Sequence, residues 1–251
     1  MDATWSTPRY VSSLVKETAM DRPLTALEKN FTQEERPVHV LSKVYKILND
    51  ESQDQKWEEE LGIEIHRKKW EKAIAVTHKL SISSKHQERN YKILARWYKC
   101  PKDLHRINPT NEEECWRCQA SSGTMSHIWY YCPKILPFWQ KIFEIYRAMT
   151  GNEIYPDILI TVLSMIPGSI KNIKRDSLKY FLTAARTCIA RKWKSSITPS
   201  MMEWECEMAE MRALEERKVL EEGSNKQIKQ IQAIWARWVD YSASSLLLCD
   251  G

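Results

Sequence analysis

The sequence predicts a mainly α protein, helical domains with one small cysteine–histidine unit set among them. Three observations lead there. Only 6 of the 251 residues are Gly, which leaves few sites for tight β-turns. Apolar residues recur at steps of three and four along most of the chain, the period of an amphipathic helix. No stretch alternates apolar and polar residues long enough to read as a strand.

Taken in order, residues 1–56 read as an N-terminal helical segment interrupted by Pro8, Pro23 and Pro37. Its clearest helix is Val38–Asn49, and Asp50–Lys56 reads as a polar linker. Residues 57–110 form a basic helical region. It opens with a short segment, Trp57–Leu61. A helix follows over Ile65–Leu80, with Trp70, Ala73, Ile74 and Thr77 on one face. Next comes Gln87–Lys99, with Tyr91, Leu94 and Tyr98 along one stripe. Arg89, Lys92, Arg96 and Lys99 lie on the adjacent stripe. Pro101, Pro109 and the acidic "NEEE" mark a loop into residues 111–135, which hold the cysteine–histidine unit.

Residues 136–251 form a C-terminal helical region. Phe138–Met149 is a helix that Gly151 ends. Ile158–Ile166 is apolar but far short of the ~20 residues that span a bilayer. Ser177–Lys194 is amphipathic, with Leu178, Leu182, Ala185, Ile189 and Trp193 in one stripe. The next helix opens at Ser200, where Ser200 and Glu203 have capping-box spacing, and runs acidic to Glu222 before Gly223. The last is Gln227–Tyr241, carrying Ile231, Ile234, Trp235 and Trp238.

Charge comes in blocks. His66 to Arg106 holds twelve Lys and Arg against three acids, and Gly168 to Lys194 holds eight against one. Met202–Gly223 has eight Glu against three bases. The two basic blocks flank the cysteine–histidine unit and suit a polyanion. Each has a second reading as a solvated helix face. Residues 1–20 contain no apolar signal-peptide core. The expectation is a nuclear or cytoplasmic protein, not a secreted one, with its thiols reduced.

The unit "CWRCQASSGTMSHIWYYCP" places Cys115 and Cys118 two residues apart, His127 eight residues on, and Cys132 four beyond. Thiolates and imidazole are the ligands zinc prefers, four at tetrahedral corners. Four ligands and none spare predict one closed, structural zinc site, since a catalytic zinc keeps a position open for water. The second reading is ordinary core filling by free cysteines. Cys100, Cys188, Cys206 and Cys249 stand alone, with Cys100 the one substitute ligand. His66, His78, His86 and His105, inside the basic block, read as surface residues.

Longer stretches carry a resemblance. "HQERNYKILARWYKCPKDLHRINP", "CWRCQASSGTMSHIWYYCPKILPFW" and "LTAARTCIARKWK" resemble the C-terminal part of LINE-type (non-LTR) retrotransposon reverse transcriptases. The likeness is to elements of fish and amphibian genomes and runs from about residue 38 to residue 241. "VLSKVYKIL", "WEEELGIEI" and "IWARWVDY" also match. The resemblance implies a CCHC zinc-knuckle-like unit downstream of a polymerase, with Cys115, Cys118, His127 and Cys132 at its ligand positions. Trp116 matches the aromatic between the first two cysteines; Trp129, Phe138 and Trp139 match the aromatic flank. The eight-residue loop is longer than the four of a retroviral knuckle, which argues against retroviral-style base recognition.

The chain contains no Asp-Asp pair for a polymerase's two metal ions, no endonuclease constellation and no Gly-rich phosphate loop. The resemblance therefore implies a post-polymerase fragment, with residues 1–56 following the lost polymerase: a truncated element copy with its own start codon, and not an enzyme. It implies binding of RNA, with DNA second, and no membrane or small-molecule partner. The expected contact residues are Arg67, Lys68, Lys69, Arg89, Lys92, Arg96, Trp97, Lys99 and Trp116, through phosphate neutralisation and base stacking. Core packing is the competing role for these aromatics; it is preferred for Tyr91, and Trp97 fits either. The alternatives are a helical protein-interaction scaffold and a non-functional element remnant.

Overall fold

Nine α-helices and one π-helical turn make up the regular structure of the residues described in the computed structural model: 53–77, 81–119, 122–170 and 172–247. No strand occurs among them, and 67% of them are helical. The helix expected at Val38–Asn49, and Cys249, lie outside the described residues. The helices are α1 (Gln53–Leu61), α2 (Arg67–Thr77), α3 (Ser84–Leu94), α4 (Pro101–Ile107), α5 (Leu136–Thr150), α6 (Ile158–Thr161), α7 (Asn172–Arg191), α8 (Met201–Glu222) and α9 (Asn225–Leu247). The π-helical turn is His127–Tyr131.

The helix α7 lies at the centre and packs against α3, α5, α8 and α9. Leu178, Leu182, Ala185 and Ile189 of the expected stripe are buried, and so are Phe181, Ala184 and Cys188. A helix apolar on several faces belongs inside a bundle rather than on its surface. Its basic first turn is anchored rather than solvated: Lys174 Nζ donates to Thr150 O at 2.7 Å, and an Arg175 guanidinium nitrogen to Ile166 O at 3.2 Å. Tryptophans join the helices. Trp204 Nε1 donates to Phe181 O at 3.1 Å, Trp139 Nε1 to Trp129 O at 2.9 Å, and Trp57 Nε1 to Leu94 O at 3.0 Å. Each ring thereby buries its large apolar area with its one polar atom satisfied.

Several helix ends match their sequence signals. Gly151 takes φ +64°, and its N–H donates to Arg147 O at 2.8 Å, closing α5. Ser200 Oγ accepts from Glu203 N at 3.2 Å, and the Glu203 carboxylate accepts from Ser200 N at 2.8 Å, the reciprocal cap that opens α8. The acidic helix then docks on basic groups of its own chain. Glu203 pairs with Lys192 at 2.7 Å and Glu207 with Arg191 at 2.6 Å. Glu207 also accepts from His86 Nε2 at 2.8 Å, and Glu215 from Ile82 N at 2.9 Å.

Four expectations are corrected. The helix α1 begins at Gln53, inside the supposed linker. His86 is buried on its bond to Glu207, not a surface residue. The segment after Cys100 forms α4 because Pro101 fits the first helical position, where its missing N–H costs nothing. Cys100 N–H and thiol both donate to Asp103 Oδ2 just ahead of it. Finally, α3 stops at Leu94 instead of running to Lys99. Arg96 adopts φ +49°. Its N–H donates to Ile93 O at 3.0 Å, and Trp97 N–H donates to Lys92 O at 2.9 Å. This is a Schellman C-cap built on arginine where glycine is usual.

Candidate metal centre

Cys115 and Cys118 sit on a turn between α4 and the π-helical turn, and the turn is closed by Gln119 N–H donating to Cys115 O at 2.9 Å. His127 opens the π-helical turn and Cys132 ends it, with Cys132 N–H donating to His127 O at 2.8 Å. The wider winding matters. In an α-helix, residues five apart are about 140° from alignment. A π-turn bonds residue i to i+5 and brings the two side chains toward one face.

The four ligand atoms all lie within 4.8 Å of one another, and together they can hold one metal ion. Cys115 Sγ and Cys132 Sγ are 3.8 Å apart, and Cys118 Sγ is 3.2 Å from His127 Nε2. A tetrahedral ion with sulfur bonds of ~2.3 Å has sulfur–sulfur edges of ~3.8 Å. Cys115 and Cys132 are fully buried; Cys118 and His127 are half-buried. The Cys132 thiol, hydrogen-bonded to Cys115, brings the Cys115 pKa down to about 4, and the same bond pushes Cys132 up. Backbone N–H groups of Cys118 and Arg117 also favour the Cys115 thiolate.

Aromatic rings carry this unit on the helical core. Trp193, just past α7, meets Tyr98 and Trp129 at ring-centroid distances of 5.1 Å each and Trp116 at 5.9 Å. Trp193 Nε1 donates to Lys99 O at 3.0 Å. Gly123 N–H donates to Glu113 O at 3.0 Å, and Lys102 N–H donates to Gly123 O at 3.3 Å. The loop approaches so closely there that a Cβ at Gly123 would lie 2.5 Å from Pro101 Cγ. Cys100 stays outside the cluster, its thiol pushed up to about 12 by burial.

The expected nucleic-acid residues are not gathered in one stripe. Arg89 turns to α7 and donates to Thr187 Oγ1 at 2.9 Å. Arg96 pairs with Glu60 and lies 4.6 Å over the Trp57 ring, its side chain only 13% exposed. Lys92 pairs with Glu88 at 2.6 Å and Arg67 with Glu71 at 3.0 Å. Trp116 is half-buried against Trp193. Lys68, Lys69 and Lys99 are exposed, and Trp97 is 69% exposed. Lys102 and Arg106 on α4 are exposed beside them in sequence. They belong to the same basic block, and their shared helix was hidden because α4 read as a loop. No family model matches the chain.

Proposed function

We propose that the chain is a non-catalytic single-stranded RNA-binding module stapled by one structural zinc ion, similar to the post-polymerase region of LINE-type retrotransposon proteins. The observation that carries the reading is the convergence of Cys115, Cys118, His127 and Cys132 within 4.8 Å. Three sulfurs and an imidazole suit zinc, and four protein ligands complete its shell. Bound zinc would hold the turn at Cys115 and Cys118 to the π-helical turn. That would fix Trp116 and Trp129 against Trp193 and Tyr98.

The RNA part of the reading rests on the chain running from α3 into α4. Trp97, Lys99, Lys102 and Arg106 are exposed there. An exposed tryptophan offers a stacking face, and neighbouring lysines offer phosphate contacts. This short segment, rather than a helix stripe, is the contact surface. Tyr98 points the other way, onto Trp129 and Trp193, so the surface and the metal unit share a support.

Metal analysis of purified protein, with titration of single-stranded RNA before and after chelation, tests both parts. One zinc per chain, weaker RNA binding after its removal and recovery on adding zinc are expected. Protein without stoichiometric metal overturns the zinc staple. Zinc-loaded protein that does not bind RNA at any salt concentration overturns the RNA reading. A groove of about 460 Å³ between α8 and α9, lined by Val219, Leu220, Ile231 and Trp235, favours the scaffold alternative, which would then lead.

A further inference from the structure

Arg117 lies between two of the metal ligands and is 6% exposed. Among the described residues no carboxylate pairs with it. One guanidinium nitrogen donates to Ile128 O at 2.9 Å and another to Lys192 O at 3.2 Å, both neutral acceptors. Its Nε is buried without a partner. A buried charge in that condition is costly, and proteins rarely keep one without compensation.

Arg186, fully buried in α7, gives the contrast. All three of its nitrogens are satisfied: Nε by Thr161 O at 2.6 Å, one terminal nitrogen by Asn90 Oδ1 at 2.9 Å and the other by Ile160 O at 3.2 Å. Two of those acceptors are carbonyls of α6, near the negative end of its dipole. Arg117 has a less complete cradle and a different setting: it follows Cys115 and precedes Cys118 in the chain, and its guanidinium is held on the π-helical turn that leads from His127 to Cys132.

A divalent ion bound by three thiolates and one neutral imidazole carries a net single negative charge. We infer that Arg117 is the built-in counter-charge of the metal site, holding the buried metal–thiolate unit neutral and tying it to the end of α7 through Lys192 O. The inference rests on the metal reading above. Arg117 ligates nothing; it acts on affinity through the sulfurs, as residues behind metal ligands do.

The test separates charge from hydrogen bonding. Arg117→Gln keeps donors for the two carbonyls and removes the charge. Arg117→Lys keeps the charge and loses the fork. Zinc and cobalt(II) affinities are measured by chelator competition on the full chain. The cobalt spectrum reports whether the shell is still tetrahedral. A loss of about 10–100-fold in affinity is expected for Arg117→Gln, with Arg117→Lys recovering most of it and the tetrahedral spectrum retained in both. Equal affinity in the parent and both variants overturns the counter-charge and leaves the metal site standing. So does a Gln variant that binds as the parent while Lys fails, which would make the two hydrogen bonds the whole role. A Gln variant that does not fold leaves Lys against parent to decide, and a Lys variant losing the full factor overturns the inference. A parent chain that takes up neither ion overturns the metal reading and this inference together.

Discussion

Truncating Glu207 to alanine should cost about 2–4 kcal/mol, and the structure sets out why. The side chain is 1% exposed where α8 meets α3 and α7. Its Oε1 accepts from His86 Nε2 at 2.8 Å. A hydrogen bond to a charged group contributes about 1.5–3 kcal/mol. Its Oε2 meets Arg191 at 2.6 Å as an ion pair, not an aligned hydrogen bond. The Arg191 side chain is 53% exposed, so water takes over much of that contact, and it counts for about 0.5 kcal/mol. The emptied space adds a packing loss. Urea unfolding followed by tryptophan fluorescence and circular dichroism measures the difference.

The pH dependence has a definite sign. Burial pushes the Glu207 carboxyl up, but the His86 hydrogen bond and the Arg191 charge outweigh it and hold the group below its ordinary 4.5. A carboxyl depressed by folding contributes stability above its unfolded pKa and loses it as pH falls through the folded value. Parent and Glu207→Ala should therefore differ most above pH ~4.5 and converge on further acidification. A difference under about 0.5 kcal/mol at neutral pH, the level of an ordinary surface change, would refute the reasoning. So would a gap that widens with acid.

Gly123→Ala should lower stability by about 1–3 kcal/mol in thermal melts, because its Cβ would lie 2.5 Å from Pro101 Cγ and 2.8 Å from Glu113 O. Arg96→Gln should destabilise by about 1–2 kcal/mol through loss of the Glu60 and Trp57 contacts. It should leave the salt slope of RNA binding unchanged, as a titration from low to high salt would read. Trp97→Ala should move the melting transition little, since the ring is 69% exposed, yet weaken single-stranded RNA binding by about 1–3 kcal/mol. Unchanged RNA affinity in that variant removes Trp97 from the surface.

The sequence was most legible where one local signal decides. Gly151 and the Ser200–Glu203 pair mark ends of α5 and α8 with chemistry contained in a few residues. The four cysteine and histidine residues that the fold brings together were legible from spacing alone. What stayed hidden depends on distant partners. Arg89, Arg96 and Lys92 share a helical period, but Glu60 lies 36 residues from Arg96 and Thr187 lies 98 from Arg89. No periodicity of this segment reveals that Arg89 and Arg96 turn inward. His86 carried no hint of Glu207, 121 residues away. The end of α3 was hidden for another reason: arginine seldom takes the left-handed conformation, so Arg96 gave no stop signal.

The π-helical turn at His127–Tyr131 gives one stretch of this chain room to lose a residue. A π-turn is in effect an α-helical turn carrying one additional residue. Deleting a single codon between His127 and Cys132 would let the segment relax to regular α winding, which is the easier backbone. His127 and Cys132 would then stand four residues apart, only about 40° from alignment, and would still share one face. Cys132 would stay with its partners, and Ile135, Phe138 and Trp139, all buried at the start of α5 or just before it, would keep facing the interior. The four-residue spacing between the histidine and the last cysteine can thus shorten to three without detaching the cysteine–histidine unit from the helical body.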